Sequence, residues 1–138
     1  MGLFEAKKII SFEKIFFRIS GMRVTAEYEI VMKEDQAEIT EYRIYYTKGD
    51  GDERRPQRCA VCPVDEMLKL LNECEVLKWD GFHGKHPIGV KDGEMLSFSA
   101  TVNDGQTVKA DGSENFPKHF REFRNRIFKM LSEVKQDE

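Results

Sequence analysis

The feature that most constrains the fold of this chain is a change of hydrophobic period at Pro63. In the first third of the chain, apolar and polar side chains alternate, and from Val64 to Cys74 apolar side chains recur at every third or fourth residue. A period of two places neighbouring side chains on opposite faces of a β-strand, whereas the longer period gives an α-helix one apolar face. The chain is therefore predicted to begin with strands and to continue with a helix that packs on them.

Three strands are predicted in the first third of the chain. The middle strand is the clearest, and its alternating apolar residues are Val24, Ala26, Tyr28, Ile30 and Met32. Similar alternation at 15–19 and at 42–46 predicts a strand on either side, so we expect a three-stranded antiparallel meander. The segment 47–58 carries glycine, proline and charge without a period, and it is predicted to be a solvated, disorder-prone loop.

A first amphipathic helix is predicted after Pro63, which suits the first helical position. Its apolar residues recur at helical spacing: Val64, Met67, Leu68, Leu71 and Cys74. The sequence "WDGF" at 79–82 supplies Gly81, which is expected to adopt the left-handed conformation that ends a helix.

A β-hairpin is predicted at 95–110, because apolar and hydroxyl side chains alternate up to an Asn-Asp-Gly turn. A three-residue loop at 103–105 sets inward-facing Ala100 opposite Val108. A two-residue loop would set it opposite the charged Lys109. We therefore predict the three-residue loop, with Gly105 at positive φ.

The last predicted element is a second amphipathic helix that starts at Pro117. Its apolar face comprises Phe116, Phe120, Phe123, Ile127, Met130, Leu131 and Val134. The order βββ-α-ββ-α predicts an α+β fold, with about five antiparallel strands and both helices packed on one face of the sheet. A chain of 138 residues with 40% hydrophobic content suits a single domain over 1–138.

Composition limits the classes of partner. The net charge is −3 and the pI is near 5.7, so nucleic acid is not expected as the main partner, because phosphate binding needs excess Lys and Arg. No stretch approaches the roughly 20 apolar residues of a membrane span, and the first residues lack the apolar core of a signal peptide. Three cysteines are an odd number for a disulfide framework. We expect a cytoplasmic monomer or homodimer that does not bind membranes.

The cysteines offer one candidate for chemistry. Cys59 and Cys62 have the spacing of a zinc knuckle, and with Cys74 and His83 they would form a three-cysteine, one-histidine zinc site. Cys62 just before Pro63 would also lie at a helix N-terminus, where the helix dipole lowers the pKa of a thiol. Against these interpretations, Cys74 lies on the apolar face of a helix, no second knuckle follows, and no parallel βαβ unit precedes the pair. No cofactor is predicted, and zinc or thiol redox chemistry is the alternative.

The second candidate is the glycine-rich segment "KWDGFHGKHPIGVKDG" at 78–93. Its polar or aromatic residues are candidates for binding a ligand or partner: Trp79, Asp80, His83, His86 and Asp92. The histidines and aspartates could also bind a metal or supply a general base. Against this chemistry, His86 precedes a proline and is held extended, and Asp92 with Gly93 is explained as a turn.

No nucleophile elbow, phosphate-binding glycine loop, zinc-protease helix or calcium loop occurs in the sequence. We therefore expect a non-catalytic binding module without assigned catalytic residues, whose partner is a protein or a small molecule. Two helices would cover one face of the predicted sheet, so binding is expected on the other face or at the 80–93 segment.

The last 50 or so residues carry a pattern of turns and packing positions. A tryptophan closes a helix at Trp79, an Asp-Gly turn follows at 92–93, and after a hairpin come Gly112 and Phe116-Pro117 before the final helix. In this respect the chain resembles a group of small uncharacterised bacterial proteins. The resemblance implies a shared fold for this part of the chain, but no activity, cofactor or catalytic residue.

Overall fold

The fold is an α+β fold in which one sheet is packed against two α-helices. A computed structural model describes residues 8–21, 24–47, 49, 51–89 and 93–133. The strands are β1 (Phe12–Ser20), β2 (Thr25–Lys33), β3 (Gln36–Thr47), β4 (Gly51–Pro63), β5 (His83–Gly84), β6 (Met95–Val102) and β7 (Gln106–Ser113). The α-helices are α1 (Val64–Glu73) and α2 (Phe120–Glu133), and a short 3-10 helix spans Val76–Trp79. None of these helices is long and apolar enough to cross a membrane.

The sheet has seven strands in the order β4-β3-β2-β1-β6-β7-β5, rather than the five that were predicted. All neighbouring strands are antiparallel except β5, which pairs in parallel with β7. The two additional strands, β4 and β5, lie at opposite edges of the sheet, where the sequence predicts loops over 47–58 and 80–93.

One face of the sheet forms the core with the helices, and we call it the inner face. Its strand residues alternate with more exposed ones, and buried side chains of α1 and α2 belong to the same cluster. Phe17 lies at its centre, stacked on Tyr28 with ring centroids 4.7 Å apart and in edge contact with Phe123 of α2 at 5.6 Å. Aromatic pairs of this geometry add to the stabilisation from burial alone. The outward-facing residues form the opposite face, which we call the open face.

The hairpin between β6 and β7 has the predicted register. Ala100 lies opposite Val108 and Val102 opposite Gln106, so that three residues form the loop. Gly105 has φ of +112°, a conformation that glycine adopts without the steric cost of a Cβ. The prediction of a three-residue loop is confirmed.

The prediction of a disordered loop at 47–58 is wrong for the part of it that the structure describes. Gly51–Pro63 forms a 13-residue edge strand paired along β3. Its register pairs Glu41 with Arg58 but Tyr42 with Pro56, so Gln57 is an extra residue in β4. Such a β-bulge reverses the face to which the following side chains point.

The end of α1 also differs from the prediction. Pro63 ends β4 and caps α1, which stops at Glu73, one residue before Cys74. Glu75 is left-handed and the 3-10 helix then runs to Trp79. Gly81 has the expected positive φ, at +84°, but it follows the 3-10 helix instead of α1.

Two glycines allow the chain to cross the inner face before α2. Gly84 of β5 and Gly112 of β7 lie side by side, and a Cβ on either would collide with the backbone carbonyl of Asn115. The crossing segment leads through Pro117 and a turn into α2, which begins at Phe120 and not at Pro117 as predicted. Packing therefore requires that residues 84 and 112 have no side chain.

Candidate functional site

The open face divides into two halves of different chemistry. The charged half comprises the outward residues of β1 to β4, among them Lys14, Arg18, Glu27, Glu29, Tyr42, Tyr46 and Arg54. The hydroxyl half comprises the outward residues of β6, β7 and β5: Met95, Ser97, Ser99, Thr101, Thr107, Lys109, Asp111, Ser113 and His83. Phe16 of β1 lies at the boundary, opposite Ser99 on one side and Glu29 on the other.

The charged side chains of the charged half that lie nearest to Arg54 are paired with one another. Arg54 donates to Glu27 at 2.8 Å, forms a close ion pair with Glu29, and stacks over the Tyr42 ring at 3.5 Å from its centroid. Lys14 also lies 3.9 Å from Glu29, and Arg18 lies 3.8 Å from Glu27. A ligand would have to displace these contacts before it could use the charges.

On the inner face of the sheet, another ion pair connects β4 with β3. Arg58 donates to both carboxylate oxygens of Glu41, at 2.7 and 2.9 Å, and the Tyr28 hydroxyl donates to the same carboxylate at 2.8 Å. Burial alone would raise the pKa of Glu41, but the hydrogen bonds from Arg58 and Tyr28 lower it below its usual value. Burial, followed by the contact with Glu41, raises the pKa of Tyr28. The bulge at Gln57 puts Arg58 on the inner face although Arg54 points outward.

The hydroxyl half contains a shallow cavity of about 550 Å³, within the roughly 300–1,000 Å³ range of small-molecule sites. Its lining includes the outward residues Phe16, His83, Ser97, Ser99, Lys109 and Asp111. Asp111 is engaged by Nδ1 of His83. Among the described residues, no carboxylate lies within 4.0 Å of the Lys109 ammonium group, and the side chain of Lys109 makes no hydrogen bond there.

The 80–86 segment reaches this cavity because it runs along β7. The carboxylate of Asp80 accepts a hydrogen bond from the backbone N–H of Lys109 at 2.9 Å, and the N–H of Gly81 donates to the Lys109 carbonyl at 2.8 Å. The N–H of Asp111 donates to the carbonyl of Phe82 at 3.0 Å. These bonds extend the sheet by one edge strand and place His83 beside Asp111.

The five residues predicted to bind a ligand have different positions. Trp79 is buried, and its indole N–H donates to the Lys118 carbonyl at 2.8 Å. Asp80 faces β7, His83 lines the cavity, and Nδ1 of His86 lies 2.8 Å from the Ser113 hydroxyl. Asp92 lies outside the described residues. Of the four residues that the structure describes, only His83 is in the lining of the cavity, and a binding role for the five stays a prediction.

The four residues of the predicted zinc site are not brought together. Cys59 points outward from β4 and is exposed, while Cys62 of the same strand points inward and is buried. Cys74 is buried after α1, and His83 lies at the opposite edge of the sheet from β4. Within the described ranges, no group of three or more His, Cys, Asp or Glu side chains could hold a metal ion.

The thiols also differ from the redox interpretation. Burial and the nearby Glu66 raise the pKa of Cys62, the opposite of the lowering expected at a helix N-terminus. Burial, with Glu122 nearby, raises the pKa of Cys74 to about 11. A raised pKa lowers the fraction of reactive thiolate.

Sequence reasoning missed Phe16, Ser97, Ser99 and Lys109 as candidate site residues. A signal was available, because every outward position predicted for the first strand of the hairpin beyond Met95 is a small hydroxyl residue. The pairing of this strand with β1, which brings Phe16 next to the hydroxyls, could not be read from local alternation. No protein-family model matches this chain, and no curated protein matches it.

Proposed function

We propose that the protein is a non-catalytic binding module that holds a small organic anion on the hydroxyl half of its open face. The observation that carries the proposal is the cavity of about 550 Å³ in which Lys109 has no acidic partner among the described residues. Ammonium groups that face a cavity without a counter-ion favour anionic ligands. In the charged half, Lys14, Arg18 and Arg54 are instead paired with Glu27 or Glu29.

The other lining residues suit a ligand with a flat apolar part. Phe16 is an outward aromatic residue in the lining, and the hydroxyls of Ser97 and Ser99 can donate or accept hydrogen bonds. Asp111 also lines the cavity, where its carboxylate contacts Nδ1 of His83. An aromatic carboxylate combines both features, so benzoate is a suitable first probe.

The test is a titration of the uniformly labelled protein with benzoate, followed by amide chemical shifts. We expect saturable shifts at Ser97, Ser99, Lys109 and Asp111, and a loss of affinity of about tenfold in Lys109→Met, equivalent to about 1.4 kcal/mol. Benzamide, the neutral counterpart, should bind more weakly than benzoate.

The matched control is Lys14→Met, which removes the same charge from the same face where the lysine is paired with Glu29. It should leave benzoate binding unchanged. Equal losses in the two variants would show that only net charge matters and would overturn the site. Shifts confined to other parts of the protein would overturn it as well.

A further inference from the structure

Two arginines lie next to each other on the inner face of the sheet, where β3 pairs with β4. Arg43 of β3 is directly opposite Arg55 of β4 and, on its other side, opposite Ala26 of β2. Arg43 follows the buried Glu41 by two positions, so its side chain points to the inner face as that of Glu41 does. Residues directly opposite in an antiparallel pair point to the same face, with Cβ atoms about 4.5–5.5 Å apart. Arg43 and Arg55 therefore extend from the same face of the sheet.

Arg43 differs from the other two arginines of this region in its pairing. Arg55 donates to Glu53 at 2.7 Å, and the neighbouring Arg58 donates to both carboxylate oxygens of Glu41. Among the described residues, Arg43 has no carboxylate within 4.0 Å, and its side chain makes no hydrogen bond. Burial acts to raise the pKa of Glu41, and the charges that lower it include that of Arg43 at longer range. Like charges directly opposite each other destabilise a strand pair, so an anion that contacts both Arg43 and Arg55 would be favoured.

Two neighbouring guanidinium groups suit a phosphate group. A guanidinium is planar and donates parallel hydrogen bonds to two oxygens of a phosphate or a carboxylate. A phosphate dianion has enough oxygens and charge for two guanidinium groups, whereas a monocarboxylate has two oxygens and one charge. In the part of the chain that the structure describes, the only side-chain hydrogen bond of Arg55 runs from Nη2 to Glu53, and its guanidinium stacks over the Tyr45 ring at 4.5 Å from the centroid. The other N–H groups of Arg55 can therefore donate to a ligand.

The charge of this region favours a small phosphorylated molecule over nucleic acid. Binding to a nucleic-acid backbone uses several excess lysines and arginines. Here two of the three arginines are balanced by Glu53 and Glu41, and the whole chain has a net charge of −3. One excess positive charge suits a single phosphate group.

We propose that Arg43 and Arg55 form a binding site for the phosphate group of a small molecule on the inner face of β3 and β4. The phosphate oxygens accept hydrogen bonds from both guanidinium groups and neutralise the unpaired charge of Arg43. The site does not depend on the proposed open-face function, because its residues lie on the opposite face of the sheet from Lys109.

The test is a titration with inorganic phosphate at neutral pH and constant ionic strength, with chloride as the balancing anion. It records the side-chain Nε–Hε resonances of Arg43 and Arg55, and we expect saturable shifts of both. Arg43→Met should weaken binding at least about tenfold, or about 1.4 kcal/mol. Glu53→Gln removes the carboxylate that competes for Arg55, so this variant should bind phosphate more tightly than the wild type.

The matched control for Arg43→Met is Arg54→Met, which removes the same charge from the open face, where Arg54 is paired with Glu27 and Glu29. It should bind phosphate as the wild type does. Equal losses in the two variants would show that only net charge matters and would overturn the site. The control for Glu53→Gln is Glu13→Gln, which removes the same charge from an exposed position on β1. Equal gains in these two variants would overturn the role of Arg55.

Three further outcomes would contradict the proposal. The first is the absence of a saturable shift in folded wild-type protein. The second is binding of acetate as tight as that of phosphate, which would contradict a site for a dianion. The third is a single-stranded oligonucleotide that binds more tightly than phosphate and loses affinity in Arg43→Met, which would assign the arginines to nucleic acid instead of a small molecule.

Discussion

The two halves of the open face belong to one sheet, yet they use charge in opposite ways. In the charged half, the cations and carboxylates named above contact one another, and together they hold β4 on β3 and β2. In the hydroxyl half charges are fewer, but Lys109 faces a cavity without an acidic partner among the described residues. The comparison teaches that the density of charged residues on a surface does not measure the charge available to a ligand.

The halves differ in their edges as well. The edge strand β4 is long and is held by its own arginines, whereas β5 has two residues and depends on close backbone contact between Gly84, Gly112 and Asn115. One edge therefore combines a long backbone ladder with side-chain ion pairs, and the other requires the absence of side chains at its glycines. Substitutions that affect one edge but not the other can test this difference.

The largest effect is expected for Gly112→Ala. The added Cβ would collide with the carbonyl oxygen of Asn115, which belongs to the backbone and cannot move away by a rotamer change. We therefore expect a loss of about 2–4 kcal/mol in the free energy of unfolding. Urea denaturation measures the loss. Hydrogen exchange should quicken at β5 and β7 and remain slow in β3 and β4.

Gly21→Ala is the matched control, since the nearest atoms to an added Cβ there lie 3.9 and 4.0 Å away. It should change the free energy of unfolding by less than about 0.5 kcal/mol. If Gly112→Ala were as mild as Gly21→Ala, the close approach of Asn115 would not hold the hydroxyl half in place.

The sequence predicted much of the fold because its local signals and the tertiary contacts agree. Alternation identified β1, β2, β3, β6 and β7, and the register of inward residues determined the length of the hairpin loop. The helical apolar positions Phe120, Phe123, Ile127 and Leu131 are buried as expected.

The predictions from sequence fail where the chain has no local hydrophobic pattern. The strand β4 reads as a polar loop, because its arginines are stabilised by Glu27, Glu29 and Glu41 on other strands. Acidic residues on two predicted strands and a run of arginines nearby were a usable signal of that pairing. The candidate cavity combines residues from β1, β5, β6 and β7, whose order in the sheet no periodicity reveals.

A smaller effect, with a defined pH dependence, is expected for Glu41→Gln on the inner side of the charged half. The substitution weakens the contact with Arg58 and should cost about 2–3 kcal/mol at neutral pH. The pKa of Glu41 is lowered in the folded protein, so its contribution is complete above the unfolded value of about 4.3. It is lost as the pH falls through the lower folded value.

The difference between wild type and Glu41→Gln should therefore shrink in acid below about pH 4, as measured by urea denaturation across pH. Protection from exchange, taken relative to the intrinsic rate at each pH, should fall in β3 and β4 at a higher pH than in β6 and β7. The exposed Glu13→Gln serves as the control and should show no such convergence. A difference that stayed constant down to the acid transition would argue against a carboxylate with a lowered pKa at this position.

The smallest effect compares Arg54→Met with Lys109→Met, which remove one positive charge each from the same face of a chain whose net charge is −3. Arg54 contacts Glu27, Glu29 and the Tyr42 ring, so its loss should cost about 1 kcal/mol at low salt and less at high salt. Lys109→Met should change the free energy of unfolding by less than about 0.5 kcal/mol at either salt concentration. Because both variants have the same net charge, urea denaturation at two salt concentrations separates a paired cation from an available one. Equal costs in the two variants would mean that the halves do not differ in how they use charge, and the case for a ligand at Lys109 would lose its physical basis.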